Sequence, residues 1–134
     1  MNLINQLVNV YLAKEHWHRT KLSKEDAIDY FERLLKKNSI IWRADKGKLV
    51  GYIEYWKINL PQLYRVLTIG FSAYKEDINT GYICYVANTW IDENYRNTIY
   101  KDLRNDLFKL NKDCYYFVGR DVERNNRLRV HRRV

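Results

Sequence analysis

The sequence predicts an α+β domain with an α/β/α-like arrangement: a mixed central sheet flanked by helices. Three observations carry this. Apolar residues recur at helical spacing through the first 35 residues. A charged turn, Asp45-Lys46-Gly47-Lys48, joins two runs rich in β-branched and aromatic residues. Later, a nearly unbroken apolar run (82–91) is followed by a helical period and then by a second apolar run (115–118). At 134 residues the chain is the size of one domain, with residues 1–38 as two helices and 39–134 as the sheet core and its helices.

The elements follow in order. Leu3, Leu7, Val10 and Tyr11 share one helical face, predicting a helix from 3 to about 17. Ser23 is placed to cap a second helix, with Glu25 and Asp26 at its positive end and Ala27, Ile28, Tyr30, Phe31, Leu34 and Leu35 on its apolar face. Ile40–Trp42 and Leu49–Ile58 form a hairpin, stopped by Pro61; 62–69 is a short helix and 71–80 a loop. The run YICYVANTWI (82–91) reads as a strand covered on both faces. Ile99, Leu103, Leu107 and Leu110 define a helix from about 97 to 111, and the strand at 115–118 then completes a parallel crossover. Asn125 and Asn126 are expected to open a final, Arg-rich helix.

Composition narrows the function classes. Apolar residues make up 46% of the chain, and twelve Tyr and four Trp would be stranded in water without a core, which argues against disorder. Cys84 and Cys114 are read as reduced, buried thiols of a cytoplasmic protein, and without a CxxC pair no cysteine-based zinc site is expected. His16 and His18 lie about 200° apart on a helix and would not chelate one metal. The N-terminus lacks a signal-peptide pattern, and no stretch of about 18 apolar residues suggests a membrane span. The net charge is +8, and Arg120, Arg124, Arg127, Arg129, Arg132 and Arg133 face only Asp121 and Glu123 at the end of the chain. Such a cluster suits a polyanion, either nucleic acid, CoA phosphates or an acidic protein partner, unless it is a solvated helix with a basic tail.

The element order and local residues together resemble the GNAT superfamily of acyl-CoA N-acyltransferases across roughly residues 22–133. IIWRADKGKLVGYIEYW looks like the family's second and third strands. VANTWIDENYRNTIYKDL looks like the fourth strand, the phosphate loop and the following helix. YYFVGRDVERNNRLRVHRR looks like the fifth strand and last helix. The family's first strand has no clear counterpart, and its last strands fall beyond the chain.

The resemblance implies a GNAT-like mixed sheet and an acetyl-CoA or other acyl-CoA cofactor. The cofactor would lie against Asn88, Thr89 and Trp90, where the family's fourth strand splays for the pantetheine arm. Its pyrophosphate would meet helix amides near Arg96, Asn97 and Thr98. Arg96 matches the family's basic loop residue, or else is a surface arginine at a turn; the family's glycines are absent after it. The family's general base, a carboxylate on the central strands, maps to Glu54, Asp92 or Glu93, although Glu54 also fits a solvent-facing strand position. The family's acidic Tyr maps to His131, which is otherwise a phosphate contact among arginines. The implied activity is acyl transfer to an amine, the acceptor being a nucleobase or a protein lysine. Small GNAT-like phage proteins, some of them DNA-modifying, supply that analogy, and a phage source would place the protein in the host cytoplasm. The alternative is an inactive GNAT-fold protein that binds nucleic acid or a partner protein through its Arg-rich end.

Overall fold

The computed structural model describes residues 2–14, 22–114, 116–121 and 127–132, the last two runs as backbone. Helix α1 is Leu3–Ala13, capped by Asn2, whose side chain accepts from the Asn5 amide at 3.1 Å. It ends sooner than its apolar period predicts, because Lys14 leaves the helix with φ −71° and ψ 138°. The His16-Trp17-His18 segment lies outside the described residues. Helix α2 is Lys24–Lys36, and the Ser23 hydroxyl accepts from Asp26 N–H as expected.

Strands β1 (Ile40–Asp45) and β2 (Lys48–Ile58) form the hairpin. Lys46 and Gly47 both take positive φ, 51° and 75°, as a tight hairpin turn requires. Helix α3, Leu60–Ile69, starts two residues before the expected position, because Asn59 and Gln62 form a reciprocal capping box and Pro61 fits the first turn. The expected loop after it begins instead as a 3-10 segment, Gly70–Lys75. Strand β3 is Ile83–Ile91, and a 3-10 turn, Glu93–Tyr95, leads into helix α4, Arg96–Leu110. Strands β4 (Tyr116–Asp121) and β5 (Arg127–Arg132) follow.

Among the described residues five strands form one sheet in the order β1-β2-β3-β4-β5. The β3–β4 pair is parallel, joined through α4, and the other pairs are antiparallel. The predicted central strand is therefore in place. The predicted final helix is not: Arg127–Arg132 is a strand paired with β4. The run Arg-Leu-Arg-Val-His-Arg alternates polar and apolar residues, a period of two that favours a strand over a helix.

The alternation in β2 sorts two cores. Tyr52, Trp56 and Ile58 pack with Tyr11, Tyr30, Phe31 and Tyr85 beneath α1 and α2. Ile53 and Tyr55 join Ile41, Cys84, Leu103, Leu107 and Cys114 beneath α4. Gly51 sets how closely α4 approaches, since a Cβ there would stand 2.7 Å from Ile99 Cδ1.

Candidate functional site

The β2–β3 ladder slips by one residue in its middle. Glu54 pairs with Asn88, but Tyr55 pairs with Val86, so Ala87 is an extra residue on β3. The β3–β4 ladder runs from Ile83 to Val86 on β3 and stops there, while β4 continues to Asp121 beside β5. Among the described residues, Ala87–Ile91 thus has a strand on one side only. The Asp92 N–H bonds to Val50 O at 2.8 Å, which fixes the phase of the ladder: Trp90 and Asn88 exchange backbone bonds with β2. The backbone groups of Thr89 and Ile91 face the open side.

Beside this open edge lies a buried polar cluster. Glu54 is fully buried on the α1–α2 face of the sheet. Tyr30 on α2 donates its hydroxyl to Glu54 Oε2 at 2.5 Å, and Trp56 Nε1 donates to that hydroxyl at 3.3 Å. Asn88 Nδ2 reaches Glu54 Oε1 and Tyr52 Oη, each at 3.4 Å. Lys14, at the end of α1, donates from Nζ to Asn88 Oδ1 and to the Thr89 carbonyl, the latter at 2.7 Å. The Lys14 contact also orients the Asn88 amide, so that its NH₂ group is the end that faces Glu54.

Removal from water pushes the Glu54 carboxyl up to about 7, against the opposing pull of the Tyr30 hydroxyl, the Lys14 charge and the Asn88 amide. The Tyr30 and Tyr52 hydroxyls are raised well above the ordinary tyrosine value, first by burial and then by the nearby Glu54 charge, so both remain donors. The cluster can therefore take up and release a proton near neutral pH, the property of a general base. The reading of Glu54 as a solvent-facing strand residue is overturned: its side of β2 is covered by α1 and α2.

Other expected residues stand elsewhere. Trp90 is half-buried, its ring 6.0 Å from that of Tyr52. Asp92 accepts from Asn94 N–H at 3.0 Å, caps the 3-10 turn and lies 3.9 Å from Lys48; four residues beyond Asn88, it is roughly 13 Å along the strand from Glu54. Glu93 is exposed at the start of that turn. Arg96, Asn97 and Thr98 are all exposed in the first turn of α4, whose N-terminus no side chain caps. Thr98 Oγ1 donates to Tyr95 O, and Tyr95 donates its hydroxyl to Asp45 at 2.6 Å, tying this helix start to the β1–β2 turn.

His131 sits on β5 opposite Phe117, not on a helix, and three strand spacings (roughly 14 Å) separate β5 from β2. Arg120 lies on β4, and Arg127, Arg129 and Arg132 lie on β5 rather than on the expected Arg-rich helix. Arg124 and Arg133 lie outside the described residues. Lys14, Tyr30 and Tyr52 are the cluster members that sequence reasoning did not single out as site residues. Tyr30 and Tyr52 fit apolar periods, and Lys14 sits where a helical period simply fades. Among the described residues no group of three His, Cys, Asp or Glu side chains gathers in a metal-binding arrangement, and no helix is long and apolar enough to cross a membrane.

No family model matches the chain, and no curated protein matches it significantly. Solved structures do. An N-acetyltransferase from Staphylococcus aureus Mu50 superposes with a TM-score of 0.56 at 12% identity, over 92% of this chain and 67% of its own. The GNAT-like decarboxylase GphF, in complex with isobutyryl-CoA, superposes with a TM-score of 0.59 at 14% identity, over 90% of this chain and 63% of its own. A ribosomal-protein-alanine N-acetyltransferase from Brucella melitensis gives 0.52 at 12% identity, over 87% and 65%. The chain thus spans about two thirds of the length of each. At this identity the likeness is one of fold, and the mixed sheet flanked by helices that the chain forms is GNAT-like.

Proposed function

We propose that the protein transfers an acyl group from acyl-CoA to an amine, with Glu54 as the general base. The observation that supports this most directly is the nearness of a buried carboxyl poised at about 7 to the stretch of β3, Ala87–Ile91, that among the described residues has a strand on one side only. That edge fits an extended pantetheine arm, which needs backbone donors and acceptors such as the Thr89 N–H and the N–H and carbonyl of Ile91. The exposed, uncapped start of α4 fits a pyrophosphate, with Arg96 as its counter-charge. Asn97 and Thr98 stand where the family has glycines, so phosphates there meet side chains as well as amides. When bound, the acyl-CoA supplies an activated carbonyl. Glu54 takes the amine's proton, Tyr30 and Asn88 hold the carboxylate in place, and the covering helices keep water from it.

The test is thiol release from acetyl-CoA in the presence of primary amines, followed against pH. kcat/KM should rise with a midpoint near 7, and Glu54→Gln should lower it by about a hundredfold or more. A midpoint unchanged in that variant removes Glu54 from the role. A second reading is favoured by the missing loop glycines: a GNAT-fold protein that binds nucleic acid or an acidic protein through the basic β4–β5 end. It predicts nucleic-acid binding that weakens steeply with salt, and loss of that binding when Arg127, Arg129 and Arg132 are replaced together.

A further inference from the structure

Helix α4 lies over β1, β2 and β3, with Leu103 and Leu107 buried beneath it and Ile99 packed against them. Its two flanks differ in chemistry. The flank over β1 carries both of the helix's acids, Asp102 and Asp106, and Arg43 of β1 donates to each. The opposite flank carries Tyr100, Arg104 and Phe108 at four-residue spacing, so they follow one another along successive turns. Tyr100 is 45% exposed and Phe108 41%. The Arg104 guanidinium stands over the Tyr100 ring, its Cζ 6.0 Å from the ring centre. Arg96, Lys101, Arg104 and Lys109 enter no ion pair among the described residues, so with both acids engaged by Arg43 the outer surface of the helix is cationic. From Arg96 to Arg104 these cations run over roughly 12 Å of helix axis, longer than a single phosphate group.

The register extends this charge onto the sheet. Cys84, beneath α4, pairs with Phe117, and Phe117 pairs with His131. By strand alternation, positions 127, 129 and 131 of β5 belong to the sheet face on which α4 lies, and the first two are arginines. Because Arg43 fixes the acidic flank of α4 toward β1, the flank with Tyr100, Arg104 and Phe108 is the one turned toward β4 and β5.

We propose that this flank of α4 is a stacking surface for single-stranded nucleic acid, with the Tyr100 and Phe108 rings taking unpaired bases and Arg96, Lys101 and Arg104 taking phosphates. It deepens the second reading above and rests on it for the class of ligand. Exposed rings among spaced cations suit a single strand: every base has a face to stack, whereas a duplex keeps its bases stacked on one another. A membrane surface would need an apolar helix face, and that of α4 is already packed on the sheet.

The test is fluorescence anisotropy with an oligothymidylate of about 16 nucleotides and with a duplex of the same length. The parent should bind the single strand more tightly than the duplex. Tyr100→Leu should weaken single-strand binding by about tenfold or more and leave duplex binding unchanged, while Tyr100→Phe, which keeps the ring, should bind like the parent. Arg104→Gln should lower the log–log salt slope by about 0.7, the share of one phosphate on a single strand. Single-strand binding that is equal in Tyr100→Leu and the parent, or a duplex bound as tightly as the single strand, overturns the stacking surface. If binding in that case is lost on joint replacement of Arg127, Arg129 and Arg132, the second reading stands without it. A parent that binds neither nucleic acid defeats both, whether or not it binds vesicles rich in phosphatidylserine.

Discussion

At the scale of single residues, the burial of Glu54 couples stability to pH. Its carboxyl has an ordinary value of 4.5 and rises to about 7 in the fold. The folded state therefore binds this proton more tightly than the unfolded chain. Stability falls as pH rises from about 4.5 through about 7, and above that range the ionised, buried carboxylate costs about 3 kcal/mol. Urea unfolding across pH 4 to 9 should show this decline in the parent and a flatter profile in Glu54→Gln; equal slopes in the two proteins would contradict the assignment. Two glycines offer a second comparison. A Cβ at Gly81 would stand 1.9 Å from the carbonyl carbon of Ile58, a backbone atom that cannot give way. Gly81→Ala should cost more than about 4 kcal/mol, at the exceptional end for a point change. At Gly51 the obstacles are the side-chain tips of Ile99 and Leu103, so Gly51→Ala should cost about 1–3 kcal/mol, the range for overpacking, with α4 displaced outward. Thermal melts of the two variants order them.

At the scale of elements, the caps and turns were the most legible features. Ser23, the Asp45–Lys48 turn and the helix near 97–111 all stand as their residues predict. Asn59 and Gln62 carry the three-residue spacing of a capping box in the sequence itself, a signal masked where Pro61 reads only as a strand stop. Asn59→Ala should cost about 1 kcal/mol, measurable by urea unfolding, and no loss would argue against the capping box. The final strand is hard to read from the sequence because the Asn125-Asn126 pair and the dense arginines suit a helix, while the period of two rests only on Leu128 and Val130 between charged neighbours. Within the candidate site, Glu54, Asn88 and Thr89 follow from the resemblance to the family's strands, whereas Lys14 and Tyr30 come from helices packed over the sheet and carry no such signal. α4 is further fixed to β1 by Arg43, which donates to Asp102 at 3.0 Å and to Asp106. It is this clamp, with Gly51, that sets where the first turn of α4 stands relative to the end of β3.

At the scale of the whole molecule, the sheet stands between the two halves of the proposed site. The α1–α2 face holds the proton-handling cluster, the α4 side supplies an exposed helix start, and the opened edge of β3 runs between them. In the proposed acyl transfer, acyl-CoA would span this line, with its phosphates at α4 and its thioester near Thr89. Isothermal titration with acetyl-CoA tests that claim most directly. The parent should bind one molecule per chain, and Arg96→Ala should weaken binding by about 1.5–3 kcal/mol, the range for a lost charged hydrogen bond. A parent that shows no saturable binding, or a variant that binds as tightly as the parent, would contradict it.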